Sequence, residues 1–150
     1  MTNWHLGVAL AVMLALHAPA NAADNLKLND HLDYSSDSHD GPLITGDHLL
    51  DGAGGDKPAY VIMYGEGCYN SKRQARRTVS LYEKYKGRVQ FVVIDLDQPR
   101  SPAQDELVRR FYKGYIPHVA VLGRDGKVAY NSSGEVEESE IAKILDKMLQ

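Results

Sequence analysis

The chain has 150 residues, of which 43% are hydrophobic and 25% are charged, and its formal net charge at pH 7 is -3. These shares are typical of one compact domain and unlike those of a disordered or fibrous chain. Proteins that bind nucleic acid usually carry a clearly basic domain or stripe, so the slight excess of acidic residues excludes nucleic acid as the expected partner.

The first 22 residues have the pattern of an export signal. An almost unbroken apolar run over residues 6–16 is followed by Pro19 and then by the small-x-small triplet Ala20-Asn21-Ala22, which is typical of a signal-peptidase site. The alternative is a retained membrane anchor, but the run is shorter than the roughly 20 residues that a spanning helix needs. We therefore expect residues 1–22 to be a cleaved signal peptide and the protein to be periplasmic or secreted, without a stable membrane anchor.

Residues 23–56 form an acidic lead-in with eight Asp, three His and one Lys. Its Gly and Ser clusters predict a mostly irregular segment, in which only residues 42–45 and 48–50 dock or form a short element. From residue 57 onward the chain has 16 Lys and Arg against 12 Asp and Glu. The acidic lead-in can therefore lie over a basic domain.

Several lead-in side chains are of the types that bind zinc or copper. Their spacing fits no compact metal-binding template, so we favour a solvated acidic arm and expect no metal site. The side chains concerned are His31, Asp33, His39, Asp40 and His48.

Residues 57–150 predict an alternating α/β domain. Buried strands are expected over residues 60–64 and 89–94, each followed by an amphipathic helix, the first over residues 71–85 and the second beginning at Pro102 with Ser101 as its cap. A hairpin with an Asp-Gly turn at residues 124–127 joins strands over 118–122 and 128–130, and a last helix spans residues 139–149. This order implies a mixed sheet with helices on both faces.

The only cysteine, Cys68, falls at the junction between the first of these strands and its helix. Backbone N–H groups at a helix N-terminus stabilise a thiolate, and an unpaired thiol in an exported protein suggests a reactive group or an intermolecular disulfide. Lys72 and Arg73 are close in sequence and would add positive potential, whereas Arg76 and Arg77 are better explained as a solvated helix face.

The element order and the position of Cys68 resemble the thioredoxin-like superfamily, over about residues 57–150. That family has Cys-x-x-Cys at the start of a helix, and the matching stretch here reads Gly67-Cys68-Tyr69-Asn70-Ser71-Lys72. The resemblance implies a three-layer sandwich with Cys68 as the attacking thiol. Ser71 replaces the second cysteine and is expected to hydrogen-bond the thiolate.

The same resemblance assigns roles to residues on the opposite side of the site. Pro117 corresponds to the family's cis-proline, and the backbone of Ile116 would pair with an extended substrate. Tyr69 and Asn70 would shape access from the rim. His118 could act as a proton donor or a positive neighbour of Cys68, although a strand histidine without such a role is slightly favoured.

Three departures from the family limit what the resemblance implies. Gly67 replaces the usual aromatic residue, Ile62 replaces the buried acid of the central strand, and the chain has no resolving thiol. A mixed disulfide at Cys68 must then be resolved by an external thiol, because exchange requires a second thiolate. Neither the cluster-binding motif of monothiol glutaredoxins nor the Thr and Pro framing of peroxidases is matched.

Two hypotheses follow. In the first, Cys68 carries out monothiol thiol–disulfide exchange with exported client proteins, and glutathione or a partner thiol oxidoreductase resolves the adduct, with no bound cofactor. In the second, the fold serves as a redox-inactive binding module for a peptide or an exported partner, and Cys68 is unused.

Overall fold

The computed structural model describes residues 22–150. The expected signal peptide, residues 1–22, lies outside the described residues except for Ala22. In chain order the elements are β1 (Asp24–Leu28), β2 (Ile44–Asp47), β3 (Ala59–Tyr64), α1 (Tyr69–Tyr85), β4 (Gln90–Asp95), α2 (Pro102–Phe111), β5 (His118–Leu122), β6 (Val128–Ser133) and α3 (Glu138–Met148). None of the helices within residues 22–150 is long and apolar enough to cross a bilayer.

The main sheet has the strand order β4-β3-β5-β6. Strand β3 runs parallel to β4 and antiparallel to β5, with Met63 opposite both Ile94 and His118. Every residue of β3 is buried, as expected for a continuous apolar strand that is covered on both faces. The mixed sheet and the predicted element order are thereby confirmed.

Helices cover both faces of this sheet, which makes three layers. One core combines Tyr60, Ile62 and Tyr64 of β3 with apolar residues of α1 and α3. The other combines Val61 and Met63 of the same strand with apolar residues of α2. Because successive strand residues point to opposite faces, a single apolar strand supplies both cores.

The start of α2 follows the expected capping chemistry. Ser101 is the N-cap, and its Oγ accepts a hydrogen bond from the backbone N–H of Gln104 at 3.2 Å. Pro102 occupies the first helical position, where a missing N–H costs nothing. This short segment therefore begins its helix where the sequence predicts.

The lead-in is more ordered than the sequence predicts. Its expected docking at residues 42–45 is confirmed, because Leu43 and Ile44 are fully buried. The expectation that the rest is irregular is wrong for residues 24–28, which form β1 and pair antiparallel with β2. Leu26 of β1 is only 1% exposed and joins the core beneath α1. Leu26 and Leu28 alternate with polar residues, a short period-two signal that the acidic composition obscures.

Candidate thiol site

Cys68 lies where a buried strand gives way to a helix. The loop 65–67 leads from β3 to Cys68, which is the N-cap of α1 with φ -113° and ψ 118°. Its carbonyl accepts a hydrogen bond from the backbone N–H of Lys72 at 3.0 Å, and its side chain is half-buried. The thiol therefore sits at the positive end of a 17-residue helix, within reach of solvent.

Ser71 is not placed as an obvious partner of the thiolate. Its side chain is fully buried, and its Oγ accepts a weak hydrogen bond from the backbone N–H of Gly65 at 3.4 Å. Within residues 22–150 no hydrogen bond joins Ser71 to Cys68. Its contact instead braces the loop that leads from β3 to the thiol.

Pro117 and Ile116 lie beside this loop. The peptide bond between them is cis, the isomer expected from the resemblance. A Cβ placed on Gly65 would come within 2.5 Å of Ile116 Cδ1, so the loop packs directly against the Ile116 side chain. Strand β5 begins at His118, immediately after this pair.

The rim of the site is made of exposed aromatic and polar side chains. Tyr69 and Asn70, at the start of α1, are exposed as predicted. Tyr115, one residue before Ile116, is 74% exposed and was not singled out from the sequence. An exposed aromatic side chain next to the thiol, as Tyr69 is, offers apolar contact area to a docking peptide.

Lys72 is not a free positive charge on the solvent side of Cys68. Its side chain is 1% exposed, and Nζ donates to the backbone carbonyls of Asp33, Ser36 and Ser38 at 2.5, 2.9 and 2.8 Å. The Oγ of Ser38 also lies 3.0 Å from Nζ and must share one of its three N–H groups with another acceptor. We call residues 33–40 the strap. The expectation that Lys72 adds positive potential at Cys68 is therefore corrected. Its N–H groups instead hold the strap in place.

The strap also reaches the helix terminus beside Cys68. An Asp37 carboxylate oxygen accepts a hydrogen bond from the backbone N–H of Tyr69 at 2.7 Å. A Cβ on Gly67 would lie 3.3 Å from two carbon atoms of His39, so the strap packs closely against the position where the family has an aromatic residue. A carboxylate at a helix N-terminus occupies the electrostatic position that a thiolate would use. The strap therefore modifies the site electrostatically as well as sterically.

The arginines of α1 are engaged in ion pairs and cation–π contacts. Arg73 Nε lies 3.0 Å from Glu135 Oε2, and its guanidinium stacks over the Tyr69 ring at 5.8 Å. Arg77 pairs with Glu135 and Glu137, both at 2.8 Å. The positive potential expected from Arg73 is thus largely offset by a carboxylate.

His118 serves the fold. It is fully buried, with Nδ1 2.9 Å from Ser133 Oγ and Nε2 2.5 Å from Asn131 Oδ1. Burial lowers its pKa below the ordinary 6.5, against an upward effect of the Asn131 hydrogen bond. A neutral ring with both nitrogens hydrogen-bonded is not the positive neighbour of Cys68 that the sequence offers as one hypothesis. This agrees with the reading of His118 as a strand histidine.

Comparison with known proteins adds the fold's identity. No protein-family model and no curated protein sequence matches the chain. Among solved structures, a malarial protein has 17% identity to this chain and a TM-score of 0.51. The match covers 63% of this chain and 99% of the malarial protein. Thioredoxin-2 of a malaria parasite has 16% identity and a TM-score of 0.51, with coverages of 61% and 82%. Chloroplastic thioredoxin z has 21% identity and a TM-score of 0.50, with coverages of 62% and 79%.

This chain has the thioredoxin fold. In that fold Cys68 occupies the junction of the central strand and its helix, and Ser71 stands three residues further on. The strap lies directly against the loop before the thiol, where His39 contacts Gly67, and against the first residue of α1, where Asp37 bonds to Tyr69.

Close to the loop before Cys68, one histidine and three carboxylates form a cluster of their own. His39 Nε2 lies 3.1 Å from Glu66 Oε2 and 3.6 Å from Asp97 Oδ2. Burial, together with the neighbouring Glu66, raises the pKa of Asp95 to about 7. Of the lead-in residues considered as metal ligands, only His39 enters this group.

Sequence reasoning missed Glu66 and Asp97 as neighbours, although a signal for them exists. Both follow buried strands, β3 and β4, that run parallel in the sheet. Carboxyl ends of parallel strands meet at one edge, so residues just beyond them are expected to be close. Asp37 offers no such signal, because its contact with Tyr69 joins residues 32 positions apart.

Proposed function

We propose that this is an exported, periplasmic or secreted, thioredoxin-fold protein in which Cys68 carries out monothiol thiol–disulfide exchange. The observation that carries the proposal is the placement of a half-buried thiol as the N-cap of a long helix. Unpaired N–H groups and the helix dipole favour a thiolate at such a position. Tyr69, the residue after Cys68, supplies exposed aromatic surface for a client, and Tyr115 supplies more next to the Ile116–Pro117 pair.

In the proposed reaction the Cys68 thiolate attacks one sulfur of a client disulfide, forming a new S–S bond while the other sulfur leaves as a thiolate that takes up a proton. A first external thiolate then attacks the Cys68 sulfur of this mixed disulfide, which releases the second client sulfur as a thiolate and leaves Cys68 bonded to the external thiol. A second external thiolate attacks the external sulfur of that adduct and releases Cys68, so two external thiols are oxidised to one disulfide for each client disulfide reduced. With a client–glutathione adduct, Cys68 attacks the glutathione sulfur, the client leaves as a thiolate, and one external thiol then releases Cys68 and forms a disulfide with the glutathione.

The need for an external thiol follows from the residues around Cys68. Ser71, at the position of a resolving cysteine, has no sulfur and bonds to Gly65. Glutathione or a dithiol partner protein is the proposed reductant. The protein itself needs no bound cofactor for these steps.

A redox-inactive binding module is the second candidate, and one observation favours it. The carboxylate of Asp37 already bonds to the first N–H of α1, at 2.7 Å from the Tyr69 nitrogen. This negative charge opposes a thiolate at the same helix terminus. In that case the exposed rim would bind an extended peptide without using the thiol.

The pH dependence of Cys68 alkylation distinguishes the two candidates. The full chain is expressed and purified, and its alkylation rate is compared with that of free cysteine, with Cys68→Ser as the blank. Exchange predicts half-maximal reaction at a clearly lower pH than for free cysteine, together with rapid formation of a glutathione adduct from oxidised glutathione. Reaction like free cysteine, or no reaction, would leave the binding module as the better account, and peptide binding should then survive in Cys68→Ser.

A further inference from the structure

We propose that His39, Glu66 and Asp97 form a binding site for a divalent transition-metal cation of the zinc type, which fixes the strap over the loop before Cys68. The three residues come from three separate parts of the chain. His39 belongs to the strap, Glu66 to the loop after β3, and Asp97 to the turn after β4. One ligand atom from each lies within 4.8 Å of the others.

The distances suit a small cation. Zinc bonds to nitrogen and carboxylate oxygen are about 2.0–2.1 Å long, so two ligand atoms in a tetrahedral site stand roughly 3.3 Å apart. The observed separations of 3.1 Å from His39 Nε2 to Glu66 Oε2 and 3.6 Å to Asp97 Oδ2 bracket that value. An imidazole with two carboxylates favours zinc, cobalt or nickel over magnesium or calcium, which prefer oxygen ligands alone.

The burial of Glu66 is a second observation that points to a cation. Glu66 is only 3% exposed, and no Lys or Arg within residues 22–150 forms an ion pair with it. Gln98 Nε2 donates to its Oε1 at 2.6 Å, which orients Oε2 toward His39. Buried carboxylates are normally paired with a cation or bound to a metal, and metal ligands are normally oriented by such outer hydrogen bonds.

Asp95 provides a third observation. Its Oδ1 accepts the backbone N–H of Asp97 at 2.9 Å, while its Oδ2 is buried and has no hydrogen-bond partner within the described residues. Three carboxylates thus converge at the ends of β3 and β4.

A cation bound at this site would also hold the strap in place. His39 lies against Gly67, and Asp37 of the same strap bonds to the backbone of Tyr69. A cation shared by His39, Glu66 and Asp97 would crosslink the strap to the two loops of the sheet edge. Binding should therefore stabilise the folded protein and restrict the motion of the strap, whether or not Cys68 has exchange activity.

The test is a calorimetric titration of the untagged full-length protein with Zn²⁺, repeated with Co²⁺ to record its visible absorption. We expect one strong site in the wild type and at least about tenfold weaker binding in His39→Gln and in Asp97→Asn, since each loses a ligand. His31→Gln is the matched control, because His31 is an exposed lead-in histidine outside the cluster. Its affinity should equal that of the wild type.

Cys68→Ser separates this site from a thiolate site. This variant should bind Zn²⁺ with the affinity of the wild type. The Co²⁺ complex of the wild-type protein should lack a thiolate-to-metal absorption band, because Cys68 is not a ligand. Thermal unfolding and circular dichroism of each variant establish that it is folded. Absence of a strong wild-type site, or equal affinity in His39→Gln, would overturn the inference, as would loss of binding in Cys68→Ser. None of these outcomes depends on exchange activity, so failure here is distinguishable from failure of the proposed function.

Discussion

The carboxylate of Asp37 and the backbone N–H of Tyr69 are joined by a 2.7 Å hydrogen bond, one residue after Cys68. An acidic side chain from the lead-in thus satisfies the first N–H group of α1, whose own N-cap residue makes no side-chain cap bond. Such a carboxylate stabilises the helix but competes with a thiolate for the same dipole. The two effects lead to opposite predictions for stability and for reactivity.

Replacing Asp37 with Asn should make Cys68 more reactive. Removing a carboxylate from the helix terminus relieves its repulsion of the thiolate, an effect of about 0.3–1 kcal/mol, or roughly two- to fivefold in alkylation rate near neutral pH. The rate is measured with iodoacetamide across pH. Asp40→Asn, in the same strap, is the control and should change the rate little. Equal rates in both variants would show that Asp37 has no electrostatic effect on the thiol.

Replacing Lys72 with Met should release the strap. The apolar stem is kept, but the Nζ bonds to the carbonyls of the strap are lost. Because hydrogen bonds to a charged group contribute about 1.5–3 kcal/mol, we expect a loss of at least about 2 kcal/mol in the free energy of unfolding. Urea unfolding measures the loss, and limited proteolysis should show faster cleavage within residues 33–40. Lys143→Met, at an exposed position of α3, should leave both unchanged.

Replacing Leu26 with Ala tests whether the lead-in is an integral part of the folded unit. Leu26 is 1% exposed beneath α1, so its truncation should cost about 2–4 kcal/mol of unfolding free energy. Leu50→Ala is the matched control, because Leu50 is 57% exposed and should cost under about 0.5 kcal/mol. Equal, small losses in chemical denaturation would mean that β1 packs only loosely on the domain.

His118 should make the folded state less stable in mild acid. Its folded pKa lies below 6.5 because of burial, with a smaller contribution from the positive charge of Lys113, and Tyr112 packs against the ring. Between that lowered pKa and 6.5 the unfolded chain binds more protons, so the free energy of unfolding rises with pH through this window and levels off above it.

The variant His118→Gln measures this contribution. Its unfolding free energy should change less than that of the wild type between pH 5.5 and pH 7.5. At pH 7.5 it should be lower by about 1–3 kcal/mol, because buried hydrogen bonds to Ser133 and Asn131 are lost. Parallel pH profiles for the two proteins would contradict the assignment of the lowered pKa.

The sequence by itself determined the secondary structure of residues 57–150 and the location of the thiol. Apolar runs such as residues 60–64, the Ser101-Pro102 helix start and the Asp-Gly turn are local patterns, and they act over a few residues. The placement of Cys68 at a strand–helix junction followed from the same patterns. These features depend on backbone preferences and periodicity, which can be read without knowing the tertiary contacts.

Only the tertiary structure decided what surrounds the thiol. The bonds from Lys72 to the strap, from Asp37 to Tyr69 and from His39 to Glu66 join residues that are far apart in sequence. No local pattern specifies which carbonyl or carboxylate meets a given side chain, because that depends on how β1 and β2 dock on the sheet. The sequence therefore predicts a polar, irregular lead-in. In the folded chain the lead-in covers the helix N-terminus beside Cys68.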